Sequence, residues 1–370
     1  MPPPSQTKRE KSFNVAETLA VAAAGGCTLG LLGVPAGWLS GAILAVAAAA
    51  LAGRPMYMPL RLAQVIFVFI GISLGGVVTP ATLQSIAAYP FSVVTLLVVM
   101  VATAAAAALY LERVHGWDRT SAFLGSAPGA LSQVIATAAE LGAELRGIAI
   151  VQSVRVVMLA IALPAGLVLL GQAGPAARLG GELNIGSLDQ LALLVAVSAA
   201  VAVLVHAVHF PGGLLFGSMV ASAALHGSGY IDAVMPWWAA NIAMMALGAV
   251  TGSRFAGTTM KTLLRFALAA FGTLAVSVAI SAAGALLLVA LSPLRIADVM
   301  IAFAPGAADA MMLLALALSV DPVYVGAHHL TRIFFVAFLT PIVARSMHRR
   351  SPRRIDKKKL PPIAKPPFQD

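Results

Sequence analysis

The stretch Ser126-Ala127-Pro128-Gly129-Ala130 recurs 177 residues later as Phe303-Ala304-Pro305-Gly306-Ala307. Proline removes a backbone donor and glycine permits a turn, so an Ala-Pro-Gly step within an apolar run predicts a helix broken in its middle. The same offset aligns other glycine, proline and charged positions: Gly71 with Gly248, Gly75 with Gly252, Ser132 with Asp309, Glu144 with Asp321, Arg155 with Arg332 and Pro164 with Pro341. With a slip of one residue, Pro35-Ala36-Gly37 matches Pro211-Gly212-Gly213. A duplicated hydrophobic unit with such a break is typical of secondary transporters.

The composition is that of a membrane protein. The 370 residues are 60% hydrophobic and 10% charged, and the mean hydropathy is +0.92, whereas a soluble domain carries about a quarter charged residues. Cys27 is the single cysteine, which excludes a disulfide within the chain. No Walker A motif, dinucleotide fingerprint, nucleophile elbow or paired-cysteine zinc motif occurs, so ATP-driven transport by this chain alone is not expected.

Twelve apolar segments divide into two units of six. The first unit has segments at about 15–33, 35–52, 62–79, 90–111, 121–139 and 146–171; the second has 188–208, 211–226, 236–253, 264–291, 298–319 and 325–345. The expected organisation is a cytoplasmic N-terminus (1–14), a first membrane repeat (15–171), a linker (172–187), a second repeat (188–345) and a basic, proline-rich disordered cytoplasmic tail (346–370).

Charge placement favours one topology. If segments 121–139 and 298–319 each enter and leave on one side, 20 of the 24 lysines and arginines lie on the cytoplasmic side or at its edge. We therefore predict an all-α integral membrane protein with two repeats in inverted orientation, about ten transmembrane helices and two re-entrant segments broken at Pro-Gly. A broken helix that crosses the membrane is the alternative. Both termini would lie in the cytoplasm, at the bacterial inner membrane.

The C-terminal tail holds nine lysines and arginines between Arg345 and Lys365. It has no aromatic platform and no helical period, so we expect contact with anionic membrane lipid and not with nucleic acid.

Two arginines lie deep in apolar segments, where a charge costs roughly 2.5–3.5 kcal/mol. Gln152 lies one turn before Arg155, and His328 and His329 lie one turn before Arg332. One reading makes each arginine a counter-ion of an acid such as Glu144, Asp309 or Asp321. The other has both arginines bind an anionic group, because the planar guanidinium binds carboxylate or phosphate with two hydrogen bonds.

The predicted substrate site combines both breaks with these side chains: Pro128, Gly129, Ser132, Gln152, Arg155, Pro305, Gly306, His329 and Arg332. Asp309, four residues after Pro305, either couples transport to Na⁺ or H⁺ or caps the second half-helix. His206 and His209 share a helix face, but interfacial histidines are commoner than a metal pair. We expect no metal, no cofactor and no catalytic residue.

The segment Val34-Pro35-Ala36-Gly37-Trp38-Leu39-Ser40-Gly41, the Gly125–Ala130 motif followed by Arg155, and the second Ala304-Pro305-Gly306 step resemble the membrane AbrB family. The resemblance covers about residues 15–345. It implies a bacterial inner-membrane protein with a suggested role in regulating gene expression. It also implies a fold similar to the cation/proton antiporter and anion transporter superfamily, which uses inverted repeats with discontinuous helices. The family carries an ammonia monooxygenase label too, but no carboxylate–histidine cluster is visible among the seven scattered histidines.

The leading functional hypothesis is a secondary transporter of a small, anionic metabolite, coupled to H⁺ or Na⁺, and not an enzyme. The alternative is a membrane-embedded regulator of gene expression that acts through a partner; a membrane monooxygenase is more remote. Association into a homo-oligomer is left open.

Overall fold

The chain folds into helices joined by short turns. The computed structural model describes residues 8–76, 89–127, 131–172, 187–210, 212–306 and 308–350. The helices are α1 (Lys8–Leu31), α2 (Gly37–Leu51), α3 (Leu60–Gly75), α4 (Tyr89–His115), α5 (Arg119–Ser126), α6 (Leu131–Glu140), α7 (Leu145–Leu169), α8 (Leu188–Ala207), α9 (Gly213–Gly227), α10 (Trp237–Gly252), α11 (Met260–Leu291), α12 (Ile296–Phe303), α13 (Ala308–Ala317) and α14 (Pro322–Arg350). A short 3₁₀ turn, Ser253–Phe255, follows α10. No strand occurs in the described part of the chain, so the all-helical prediction is confirmed there.

Within the described residues, five helices are long and apolar enough to cross a membrane: Arg9–Leu31, Tyr89–His115, Leu145–Leu169, Leu188–Ala207 and Met260–Leu291. The apolar helices α2, α3 and α9 are shorter, at 15 or 16 residues. These lengths and compositions are those of a membrane protein, whereas the number of ten crossings and the inverted orientation stay predictions.

Two helical segments are interrupted at the predicted Ala-Pro-Gly steps. Helix α5 ends at Ser126 and α6 begins at Leu131, while α12 ends at Phe303 and α13 begins at Ala308. Asp118 caps the start of α5, because its carboxylate accepts the amide of Ser121 at 3.0 Å. Each interruption leaves backbone carbonyls at the end of the first half-helix without a partner in the same helix.

Each broken segment folds back to the end where it began. The amide of Glu144, just before α7, donates to Ser121 Oγ at 2.9 Å. In the same way the amide of Asp321, just before α14, donates to Asp298 Oδ1 at 3.1 Å. A continuous path through the 8 residues of α5 and the 10 residues of α6 would rise roughly 27 Å. The four linking residues after α6 span at most about 14 Å, so α5 and α6 form a hairpin.

Glycines allow four of the shorter helices to pack closely, as their spacing predicts. A side chain at Gly248 or Gly252 on α10 would overlap backbone and side-chain atoms of α2, including the carbonyl oxygens of Leu39 and Ile43. Gly71 and Gly75 on α3 lie in the same relation to α9, against the backbone at Leu215 and Met219. The two Gly-x-x-x-Gly sites therefore bring helix axes together.

The structure predicts that Gly248→Val destabilises the protein, because the added side chain meets Ala42 and the α2 backbone. Overpacking of this kind costs about 1–3 kcal/mol. The matched control is Gly166→Val on α7, where nothing lies within 4 Å of an added Cβ. The midpoint of thermal unfolding in detergent should fall for Gly248→Val and change little for Gly166→Val. Equal effects on both would refute the close approach.

Candidate functional site

Arg155 binds the carbonyl end of the first half-helix. Its side chain is 3% exposed, and its two terminal nitrogens donate to the carbonyls of Ser126 and Ala127, each at 3.1 Å. These carbonyls follow the last turn of α5, where the helix dipole concentrates negative potential. The guanidinium therefore satisfies acceptors that the chain break exposes.

Gln152 completes this arrangement. Its amide nitrogen donates to the carbonyl of Leu124 at 2.9 Å, and its side chain is 2% exposed. Gln152 and Arg155 lie on the same face of α7, so one face of one helix binds two carbonyls of α5 and that of Ala127 just after it.

Arg332 makes the corresponding contacts at the second break. Its side chain is 4% exposed. One terminal nitrogen donates to the carbonyl of Ala304 at 2.6 Å and lies 3.4 Å from that of Gly306. The other donates to Ala302 at 2.8 Å. Arg155 and Arg332 thus each bind a carbonyl 28 residues earlier in the chain, at Ala127 and Ala304.

His329 occupies the position on α14 that Gln152 has on α7. Its side chain is 1% exposed, and neither ring nitrogen makes a hydrogen bond of standard geometry. The backbone of Ile301 in α12 lies beside the ring. A buried imidazole without a good partner is costly, so His329 is a strained member of the group around the second break.

Neither arginine pairs with an acid among the described side chains. The ion pairs of that part of the chain lie nearer the surface, as between Arg54 and Glu17 at 2.6 Å or Arg345 and Glu140 at 3.0 Å. Asp321, one of the acids considered as a counter-ion, accepts the amides of Val323 and Tyr324 at the start of α14. Among the described side chains, the guanidinium groups are therefore bound to carbonyl dipoles and not to a carboxylate.

Arg155 lies close enough to Arg332 to repel it electrostatically. The two breaks therefore lie in the same region of the interior. The Nε atom of each guanidinium is buried and makes no hydrogen bond. Both guanidinium groups therefore keep an unused N–H donor at the breaks.

A narrow crevice opens beside the second break. Its lining includes Pro305 and Arg332, the α4 side chains Val99 and Thr103, and Ser281 of α11. The hydroxyls of Thr103 and of Ser277, one turn before Ser281, are buried and have no hydrogen-bond partner. The crevice thus presents hydroxyl and guanidinium donors in an otherwise apolar wall.

Sequence reasoning missed Thr103, Ser277 and Ser281. A hydroxyl in an apolar helix normally bonds the carbonyl one turn earlier, as Thr95 does with Phe91 at 2.9 Å. Only the structure reveals which hydroxyls lack this bond.

The predicted site residues are brought together in part. Gln152 and Arg155 converge on the first break, and Pro305, Gly306, His329 and Arg332 converge on the second. Pro128 and Gly129 lie outside the described residues. Ser132 and Asp309 are in α6 and α13, but their side chains are not among those described, so the ion-coupling role of Asp309 stays a prediction.

Within the described residues, no group of three or more histidine, cysteine or acidic side chains is arranged to hold a metal ion.

His209 adopts a left-handed backbone conformation with φ of 58° just after α8.

Long apolar helices, with two internal breaks whose carbonyls are bound by buried arginines, define a helical protein of membrane-spanning character. The chain belongs to the AbrB family, since the family model described as "Transition state regulatory protein AbrB" matches residues 38–348. The resemblance seen in the sequence motifs is thereby confirmed.

Two relatives match over most of their length. The chain is 26% identical over 367 residues to the "Uncharacterized protein YhjN" of Bacillus subtilis (strain 168), covering 92% of this chain and 94% of that protein. It is 25% identical over 336 residues to the "Putative regulator AbrB" of Escherichia coli (strain K12), covering 88% and 95%. No solved structure matches.

We expect Arg332→Lys to destabilise the protein although it keeps the charge. An ammonium group lacks the planar fork that reaches Ala302 and Ala304 together. Each hydrogen bond lost to a charged donor costs about 1.5–3 kcal/mol. Thermal unfolding should therefore begin well below that of the parent, whereas Arg61→Lys, on an exposed position of α3, should leave it unchanged. Parent-like unfolding of Arg332→Lys would show that the fork is not needed.

Proposed function

We propose that this protein is a secondary transporter of a small organic anion, bound between the two breaks. The observation that carries the proposal is the pair of buried arginines whose charges have no acid partner among the described side chains. An interior that holds two repelling cations is stabilised by an anion, so binding should be favourable wherever the ligand can reach the guanidinium groups.

The half-helices also favour the binding of an anion. Helices α6 and α13 begin beside the breaks, and their first amides are unpaired within the helix. Such ends attract anions through both the free N–H groups and the dipole. The narrow crevice at Thr103, Pro305 and Arg332 lies beside the second break.

We further propose that the protein consists of two repeats in inverted orientation. Helix bounds support this: α5 and α12, α6 and α13, and α3 and α10 begin and end 177 residues apart. The hydrogen bond that closes each hairpin joins residues 23 apart in both cases. Hairpins that return to their starting end add no crossing, so each repeat has five crossings and the second repeat is inverted.

Binding can be tested by thermal unfolding of the full chain in detergent with a panel of carboxylates, sulfonates, phosphate and sulfate. At least one anion should raise the unfolding midpoint, because a ligand that binds the native state stabilises it. Arg155→Gln and Arg332→Gln should abolish that shift.

Thr103→Val separates binding from folding. The variant removes a hydroxyl that has no partner, so the fold should remain as stable as the parent. Loss of one hydrogen bond to the ligand should weaken binding about three- to tenfold. The control is Thr95→Val, because the Thr95 hydroxyl donates to the carbonyl of Phe91 on an exposed face of α4.

If none of the anions in the panel raises the unfolding midpoint of the parent, the proposal is contradicted.

Topology can be tested with impermeant thiol reagents on single cysteines in a Cys27→Ser background. We predict that residue 258, between α10 and α11, is labelled from the cytoplasm together with both termini, because Arg254, Lys261 and Arg265 surround it. Labelling of residue 258 from the periplasm would reject the inverted arrangement. Cysteine at position 142, after the first hairpin, should be labelled from the cytoplasm too, because a hairpin that returns to its starting end adds no crossing.

A role in gene regulation is the second candidate. It rests on the family description and on the name of the Escherichia coli relative. Such a regulator would act through a partner at the basic tail. Altered transcription that is lost when residues 351–370 are deleted, with no anion flux in the intact protein, would favour this role.

A further inference from the structure

A second polar cluster lies near the second break, centred on His328. Its side chain is fully buried. Ring nitrogen Nδ1 lies 2.7 Å from the carbonyl of Tyr324, and Nε2 lies 2.8 Å from Ser92 Oγ on α4. A carbonyl only accepts hydrogen bonds, so Nδ1 carries a proton in either charge state.

The serine makes the cluster suited to two charge states. Ser92 Oγ also lies 2.8 Å from the carbonyl of Tyr89, to which it can donate. When His328 is neutral, the single hydroxyl proton of Ser92 can point at Nε2. When His328 is protonated, Nε2–H donates to Ser92 Oγ and the hydroxyl donates to Tyr89. Every polar atom of this chain of hydrogen bonds then has a partner, so protonation leaves no group unsatisfied.

Aromatic rings surround the imidazole. The Tyr324 ring lies 4.1 Å from the imidazole, centroid to centroid, and the rings of Tyr89 and Phe303 lie at 6.1 Å. A protonated imidazole interacts favourably with such rings, which offsets part of the cost of burying its charge. Tyr89 also donates to the carboxylate of Asp321 at 3.3 Å.

Titratable and charged groups surround the cluster from three helices and the turn before α14. They are Tyr89 of α4, Asp298 of α12, Asp321 of the turn, and Tyr324, His329 and Arg332 of α14. The two acids act on Tyr89 and Tyr324. Arg332, one turn further along α14, is the charged side chain that acts on His328 itself.

The equivalent place in the first half has no such chemistry. At the positions 177 residues earlier, Val151 stands for His328 and Gly147 for Tyr324. Trp117 packs there against Phe266 with ring centroids 6.0 Å apart, and both rings contact Gly147. An apolar cluster thus serves for packing at one hairpin, so packing alone does not require the buried histidine at the other.

We propose that His328 is a proton-binding site whose protonation is coupled to anion binding at Arg332. The inference rests on the proposed function. Arg332 and His328 repel each other when both are charged, and an anion beside Arg332 offsets this repulsion. A bound anion therefore favours proton uptake by His328, and by reciprocity the proton strengthens anion binding. Coupling of this sign is that of proton–anion symport.

Coupling to a proton makes the affinity for the anion depend on pH. Affinity for the anion is highest at low pH, where His328 is protonated before the anion arrives. Affinity falls as pH rises, because each binding event must then take up a proton from solution. For one coupled proton the dissociation constant rises by up to about tenfold per pH unit.

The test is a thermal-shift titration of the full chain with pyruvate, oxalate and sulfate at pH 5.5, 6.5 and 7.5, where these probes keep constant charge. The parent and the control His226→Gln should both lose affinity as pH rises. His226 is a suitable control because its ring also lies within hydrogen-bond distance of carbonyls, those of Ser222 and Ala233, at 2.8 and 2.9 Å. His328→Gln should bind with less than about twofold change across the range, since no coupled proton is left.

A second variant keeps the inference testable if His328→Gln does not fold. Ser92→Ala retains the histidine but removes the acceptor for Nε2–H, so affinity at pH 6.5 should fall several-fold, whereas Ser92→Thr should restore it. A parent-like pH slope in His328→Gln, or parent-like affinity in Ser92→Ala, would overturn the coupling. Anion binding that is independent of pH in the parent would also overturn it while the proposed function stands. Failure of every probe to bind at any pH would overturn both.

Discussion

The structure depends on how backbone carbonyls at two chain breaks are satisfied in an apolar interior. A proline-glycine step ends a helix where water is scarce, and each carbonyl left free there costs free energy. Arg155 and Arg332 remove that cost with planar, multiple donors. These donors stabilise the breaks, and the carbonyl acceptors in turn stabilise the buried arginines.

This mutual dependence does not balance the charge of the arginines. Carbonyl dipoles accept the N–H groups but carry no net charge, and none of the described acids pairs with either guanidinium. The Nε atoms and the Thr103 hydroxyl lack partners, which is the arrangement expected of a site that a ligand completes. In this account, Arg155 and Arg332 contribute both to the stability of the fold and to the affinity for an anion. Protonation of His328 would add to the positive charge beside Arg332.

Much of the fold follows from the sequence. The lengths of apolar runs and the Ala-Pro-Gly steps predict the interrupted segments, and the described helices lie within a few residues of those predicted over most of the chain. The glycine spacing at Gly248 and Gly252 predicts close packing but not the partner, because the contact with α2 is made by residues far away in sequence.

The partners of the arginines could not be read from the sequence. Residue type suggests an acid or a ligand, whereas the guanidinium groups bind carbonyls that every residue possesses. Thr103 was missed for a similar reason, since its missing hydrogen bond depends on side-chain conformation. His328 was seen as a neighbour of Arg332, but its link to Ser92 joins positions 236 residues apart.

Solute counterflow in proteoliposomes tests the central claim most directly. Vesicles loaded with the unlabelled anion that best stabilises the protein are diluted into a trace of the same labelled anion. The account predicts transient accumulation of label inside vesicles that contain the parent protein, reduced accumulation with Thr103→Val and none with Arg155→Gln. Label that never exceeds the level of protein-free vesicles, for an anion shown to bind, would contradict transport through the two breaks.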